Sequence, residues 1–213
     1  MSIEREEKVI CPKCGKEGKV IVWDSLNADI DPWAKERLIN GELFSFKCEC
    51  GFSAYIDFQV LYNDMTHDVM VYYVKEDKVP EIEDLFRKMQ KPGGIGMPDK
   101  RYRIVTDQNT LREKATIFDL GLDDRIMELL KTMYLIQAQE QNPEIEQVFF
   151  YTLDDRWVFQ FIGGKDLWAE PQKEQYDSLQ REYSEILAAE GDKDFYVDYS
   201  WTIDFLRRNG IIG

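Results

Sequence analysis

The feature that most constrains this chain is the spacing of its cysteines: four in 213 residues, two in "CPKCG" at Cys11 and Cys14 and two in "CECG" at Cys48 and Cys50. A metal knuckle needs two thiolates on one tight turn. Each sulfur lies about 2.3 Å from the ion and also accepts backbone N–H bonds, so a glycine just after the second cysteine relieves the turn. Cys11, Pro12, Cys14 and Gly15 meet that description. The second cluster, Cys48, Glu49, Cys50 and Gly51, has one residue between its thiols where the first has two. In an extended segment residues i and i+2 point the same way, so both of its sulfurs can still face one ion. We read Cys11, Cys14, Cys48 and Cys50 as ligands of a single zinc ion. The zinc is structural, because four thiolates close the coordination sphere and leave no open position for water.

The competing use of four cysteines is two disulfides, and the compartment decides between them. The N-terminal "MSIEREEK" is charged where a signal peptide would be apolar, and no apolar run approaches the roughly 18 to 20 residues that cross a bilayer. This predicts a cytoplasmic protein with no membrane attachment. Thiols stay reduced there, which favours a metal site. Charge narrows the partners. The chain carries 27 basic and 41 acidic residues, a net of −14; up to residue 140 the balance is 20 against 26, and beyond it 7 against 15. Neither part has the field that attracts phosphate backbones or anionic lipid. The basic residues nearest the first cysteine pair, Lys8, Lys13, Lys16 and Lys19, are read as offsetting the charge of about −2 on a dication with four thiolates.

Periodicity and punctuation predict an α+β fold. "GKVIVWD" reads as a strand and "DPWAKERLING" as a short helix, with Asp31 as N-cap, Pro32 in the first turn and Gly41 past the end. "ELFSFK" then returns as a strand into Cys48, so that strand, helix and strand bring distant thiols to one ion. Residues 52–58 and 69–75 read as further strands joined through "LYNDMTHD". A helix follows from Pro80 to Lys91 with Ile82, Leu85, Phe86 and Met89 on one face. "KPGGIGMPDK" reads as an exposed, mobile connection and not a phosphate loop, since no Gly-Lys-Ser/Thr ending supports that. "RYRIVTDQ" is a strand. "TLREKATIFDLG" is a helix with a capping box at Thr110 and Glu113, closed by Gly121. A longer helix starts at Asp123 or Asp124 and uses Ile126, Leu129, Leu130, Met133 and Ile136. The polar "QAQEQNPE", with Pro143, places a domain boundary near residue 140.

Beyond it, "IEQVFFY" and "RWVFQFIG" flank "TLDD" as a hairpin with Trp157, Phe159 and Phe161 on one face. An amphipathic helix with Tyr176, Leu179, Tyr183, Ile186 and Leu187, a strand "DFYVDY" and a last helix from Ser200 complete a small α+β unit. The expected organisation is a zinc-ribbon-containing domain over 1–140 and a smaller α+β domain over 141–213.

Four stretches together resemble the CpXC family of prokaryotic proteins: "CPKCG" at 11–15, "NGELFSFKCECG" at 40–51, "LYNDMTHDVMVYYV" at 61–74 and "RIVTDQNTLREKATIFDLGLDDRIMELLK" at 103–131. The resemblance covers about residues 7–140 and not the tail. It implies a zinc-binding module of no established activity. The family is named for two Cys-Pro-x-Cys motifs, and "CEC" departs from the second by lacking the proline and one spacer residue.

Other residues invite sharper chemistry. His67 is the only histidine. With Asp64 and Asp68 it supplies a second reading, a hydrolase-like cleft with an acid–base cluster, although no nucleophile elbow accompanies it. Asp123, Asp124 and Arg125 are accounted for by a helix start. Tyr72, Tyr73, Trp157, Trp168 and Trp201 read as core or interface residues. A nucleic-acid-binding zinc ribbon is the third reading and the acidic balance opposes it. The function expected is a binding module in which a structural zinc organises a scaffold that meets a protein partner.

Overall fold

The computed structural model describes residues 1–213 except 93–96, 98, 165 and 166, so half of the glycine-rich connection expected at 91–100 lies outside the described residues. The described chain is α+β and falls into two compact units, Met1–Ala115 and Thr116–Gly213.

In the first unit a strand forms where the sequence has no apolar face. β1 (Ile3–Ile10) pairs antiparallel with β2 (Glu17–Asn27), from Ile10 opposite Glu17 to Ile3 opposite Ser25. Its side chains are nearly all exposed, and cross-strand ion pairs Lys8–Glu17 at 2.8 Å and Lys19–Glu6 at 2.7 Å dress the edge. Charge of this kind protects an edge strand from pairing with other chains. It also hides the strand from periodicity, which needs one buried face.

After β2 come α1 (Pro32–Ile39), β3 (Ser45–Lys47), β4 (Ser53–Tyr55), β5 (Val60–Asp64) and β6 (Val69–Tyr73); α2 (Val79–Met89) and β7 (Arg101–Val105) follow. The main sheet has the order β1-β2-β5-β6-β7. β2 with β5 and β6 with β7 are parallel pairs, so each needs a crossover: α1 with the β3–β4 hairpin in the first case, α2 in the second. The segment "LYNDMTHD" at 61–68, expected to join two strands, therefore contains most of a strand of its own. Val60, Tyr62 and Asp64 of β5 are buried, and the polar end "ND" disguises it.

Helix ends follow local chemistry. Asp31 precedes α1 and its backbone carbonyl accepts from Ala34 and Lys35, but its side chain makes no cap bond. The far end closes with Gly41 at φ +74°, the Gly41 N–H on Leu38 O and the Glu42 N–H on Arg37 O, a Schellman arrangement. α3 (Gln108–Asp119) begins earlier than the capping box predicts. Asp107, not Thr110, is the cap: its carboxylate accepts from the Thr110 N–H at 2.8 Å and from the Thr110 hydroxyl.

The second unit packs helices on a three-stranded sheet. α4 (Asp124–Gln141) starts with the Asp123 side chain accepting from the Arg125 N–H. β8 (Gln147–Leu153) and β9 (Arg156–Ile162) form the expected hairpin, with Asp154 and Asp155 at φ 48° and 61° as the two turn residues. Two consecutive positive φ values match the twist of a tight hairpin. β10 (Leu167–Ala169) adds a third strand, in the order β10-β9-β8. α5 (Lys173–Glu190) and α6 (Tyr199–Arg208) complete the unit.

One core joins Ile126, Met127, Leu129 and Leu130 of α4 to Phe150 and Phe159 of the sheet, and Tyr176, Leu187 and Phe205 of the last two helices. Thus α4, which the sequence assigns to the part before residue 140, is built into the core of the second unit. Met133 and Ile136 of α4 are 52% and 44% exposed, so its buried stripe is narrower at the C-terminal end than the spacing predicts. "DFYVDY" is not a strand: residues 194–198 are irregular and Tyr199 opens α6. Phe195 and Val197 are buried, Asp194 accepts from the Trp201 indole at 2.7 Å, and Asp198 caps α6 through the Trp201 N–H. Among the described residues no helix is long and apolar enough to cross a membrane.

Candidate metal centre

Both cysteine pairs sit at hairpin tips. Cys11 and Cys14 lie in the loop that connects β1 to β2, and Cys48 and Cys50 in the loop that connects β3 to β4. The missed strand β1 is therefore one leg of the first tip.

The two loops are closed by the same pair of backbone bonds, one residue apart in length. In the first, the Cys11 N–H donates to Lys16 O and the Gly15 N–H to Cys11 O, both at 2.9 Å. In the second, the Cys48 N–H donates to Phe52 O at 2.8 Å and the Gly51 N–H to Cys48 O at 2.9 Å. Gly15 and Gly51 hold equivalent places at φ +71° and +83°, where side chains other than glycine are strained. Removal of one spacer from "CPKC" to "CEC" thus shortens the turn without changing how it is closed.

A packing contact sets the second hairpin beside β2. Phe46 of β3 is buried, and a Cβ built on Gly18 of β2 would come within 2.6 Å of its ring. Only a glycine leaves room for the ring at that point. Gly18 lies four residues past Cys14 and Phe46 two before Cys48, so this contact seats one tip against the other. Phe46 sits inside the expected strand, but Gly18 gives no signal in the sequence beyond a glycine at a strand edge.

The four Sγ atoms lie within 4.8 Å of one another, and among the described residues no other group of three or more His, Cys, Asp or Glu side chains gathers in this way. Cys11 Sγ is 3.7 Å from Cys50 Sγ, and Cys14 Sγ is 3.7 Å from Cys48 Sγ. Four thiolates about 2.3 Å from a tetrahedral ion would be separated by about 3.8 Å, whereas a disulfide needs about 2.05 Å. The pairs that approach each other take one cysteine from each tip. Cys11 is fully buried and Cys14 exposed at the rim.

The thiols titrate very differently. For Cys11, burial raises the pKa, but the backbone N–H groups of Cys14 and Lys13 and the neighbouring thiols outweigh it and bring it down to about 7. Cys50 accepts from the Phe52 backbone, which lowers it, yet burial and the sulfurs of Cys14, Cys48 and Cys11 push it up to about 12. Cys48 is also raised: the Cys50 backbone favours its thiolate, and burial and the Cys11 sulfur oppose it. The first thiolate forms readily and the last is resisted by its neighbours, which is the charge problem a bound cation resolves.

The lysines expected to counter that charge are mostly engaged by acids. Lys8 and Lys19 are paired across β1 and β2, and Lys16 reaches Glu49 at 3.7 Å, linking the first tip to the second.

His67 does not join the cysteines. Its Nδ1 is 2.8 Å from Asp64 Oδ2, and its backbone N–H donates to Asp64 Oδ1 at 3.0 Å. Asp64 is buried and also accepts from the Tyr62 hydroxyl at 3.3 Å. Asp68 stands at φ 54° and uses its carbonyl to accept from the Arg101 N–H, so of the expected acid–base trio the structure pairs Asp64 with His67. Close by, the buried Lys100 donates to Asn63 Oδ1 at 2.7 Å, and burial lowers its pKa. Asp123 and Arg125 form a helix cap with a 2.7 Å ion pair.

The family model described as CpXC protein matches residues 9–131, more than half of the chain, including all four cysteines, the end of β1 and all of β2 to β7. No curated protein and no solved structure matches the chain.

Proposed function

The chain belongs to the CpXC family, and on that premise we propose that it is a protein-interaction module organised by a structural zinc ion. The observation that carries this reading is the convergence of four sulfurs from two hairpin tips within 4.8 Å. Four soft thiolates in a tetrahedral spacing suit zinc and complete its coordination sphere. A closed sphere gives water no site at the metal, so the ion shapes a surface and does not activate a substrate. Reduced thiols fit a cytoplasmic setting.

The partner is a protein. The second unit carries 9 basic against 20 acidic residues, which repels nucleic acid and anionic lipid, and it exposes the aromatic side chains of Trp168 and Tyr199. Metal analysis of the purified chain tests the reading. One zinc per chain is expected, and Cys11→Ala/Cys14→Ala abolishes it and lowers the melting temperature of the first unit. A chain that binds no zinc, or a double variant that melts like wild type, refutes the reading.

A second reading is favoured by one observation. Asp64 holds the Nδ1 side of His67, the imidazole is 29% exposed, and Nε2 has no partner among the described residues. That is how a carboxylate orients a general base. Ester hydrolysis by the wild type that disappears in His67→Ala would favour this hydrolase-like reading over the first.

A further inference from the structure

The second unit contains a groove of about 680 Å³ that is lined by Tyr134, Ala138 and Glu144 from α4 and the turn after it, and by Phe161, Leu167 and Trp168 from the sheet. Its position is set by β10. Leu167 pairs with Phe161 and Trp168 with Gln160. Successive strand residues face opposite sides of a sheet, yet Leu167 and Trp168 both line the groove, so it opens at the edge of β10, which no other strand of the described residues pairs with, and not over one face. Natural edge strands are blunted by shortness, charge or proline, and β10 uses only the first of these within the strand. β10 is Leu-Trp-Ala, with Leu167 41% and Trp168 53% exposed.

At the far end of β10 Glu170 is paired with Arg156 at 2.6 Å, and on the α4 side of the groove the unpaired charge among the described residues is negative. α4 ends beside the groove with no basic residue in its last turn, so the negative end of its dipole is uncompensated there. Glu140 in its last turn and Glu144 and Glu146 after it carry carboxylates with no hydrogen-bond or ion-pair partner among the described residues. The whole unit has a balance of 9 basic to 20 acidic residues.

We infer that this groove binds an extended, basic segment of a partner protein, which adds as a strand to β10 and places a lysine or arginine side chain against Glu144 and the rings of Trp168 and Tyr134. Backbone pairing at the open edge supplies affinity without sequence preference. The groove supplies the preference. The methylene stem of the side chain lies along Ala138 and Phe161, its charge meets the carboxylate, and aromatic faces attract a cation. The inference deepens the interaction-module reading and rests on it.

The test uses the full metal-loaded chain and a fluorescent peptide of alternating threonine and lysine. Binding is expected, with a loss of about tenfold or more in Trp168→Ala and about threefold in Glu144→Gln. The same peptide N-methylated at alternate amides keeps its charge but cannot pair with a strand edge, and it should not bind. Trp168 is half exposed, so its truncation should leave the fold intact; Leu167→Lys, which charges the edge, is the second variant if it does not. Equal binding of the N-methylated peptide, equal competition by spermidine, or unchanged affinity in both edge variants overturns the inference. Self-association of the wild-type chain that Leu167→Lys abolishes also overturns it, since the edge then belongs to a second copy. Failure of the module reading is seen separately, as absence of bound zinc, which the peptide titration does not measure.

Discussion

The two units reach a folded state by different physics. The first is close to neutral, with 18 basic and 21 acidic residues, and its cysteine-bearing tips are built from little: β3 and β4 have three residues each. A two-stranded hairpin of that size is marginal in water. It is held by the Phe46 ring over Gly18 and by the four sulfurs it shares with the first tip. The second unit, with 9 basic and 20 acidic residues, carries a heavier self-repulsion and has no cysteine. It answers with a continuous core in which Phe150, Phe159 and Phe205 have no exposed surface. Four sulfurs placed to hold an ion stand where strands are too short to bury much, and burial suffices where helices cover a sheet.

The sharpest way to break this comparison is to remove the metal. Zinc binding is worth about 10–16 kcal/mol in small zinc domains, where folding and binding are one event. Chelation should therefore unfold the tips of the first unit while the second keeps its helices, giving two separate thermal transitions by circular dichroism. A single transition that moves as a whole on chelation contradicts the division of labour. The converse perturbation is Phe159→Ala. It should cost about 3–5 kcal/mol, as expected for an aromatic deleted from a closed core, and leave zinc affinity unchanged. A parallel loss of zinc would show that the metal centre depends on the second core.

Gly18→Ala sharpens the comparison within the first unit. A methyl group 2.6 Å from the Phe46 ring must displace it, at about 1–3 kcal/mol, and should weaken zinc binding because the second tip shifts with the ring. An unaffected zinc affinity would mean that the thiolates alone align the tips.

Much of the site was legible because metal knuckles announce themselves locally. Cys11, Cys14, Cys48 and Cys50 are brought together as the spacing predicted, and the glycine after each second thiol marks both turns. The hairpin at Asp154 and Asp155 and the glycine-closed ends of α1 and α3 were legible for the same reason, since each is a property of a few adjacent residues. What escaped depends on partners far away in the chain. β1 has charged faces that make sense only against β2, and β10 is three residues defined by β9. "DFYVDY" alternates like a strand, but its aspartates are consumed as hydrogen-bond acceptors for α6. The cap at Asp107 was missed because a capping box fitted nearby.

The smallest expected effect lies in the second unit. Glu190 is held below its ordinary pKa, mainly by Arg208, which bonds both its oxygens at 3.0 and 2.6 Å, with Asn209 assisting. A carboxylate with a depressed folded pKa contributes stability that is complete above its unfolded pKa and is lost as pH falls through the lower, folded value. Arg208→Ala should remove about 0.5 kcal/mol at neutral pH, since the pair is partly exposed and screened. It should also flatten the acid limb of the second transition and leave the first unmoved.

The central claim is that both thiols of the shortened loop ligate, completing a closed four-sulfur site. Competition titration of zinc against a chelator, on Cys48→Ser and Cys50→Ser with His67→Ala as the control, tests it most directly. Both serine variants should lose affinity strongly and to a similar extent, and His67→Ala should bind as wild type. Near-wild-type affinity in either serine variant, or a loss in His67→Ala, would contradict the claim and mean that an exchangeable position exists at the metal.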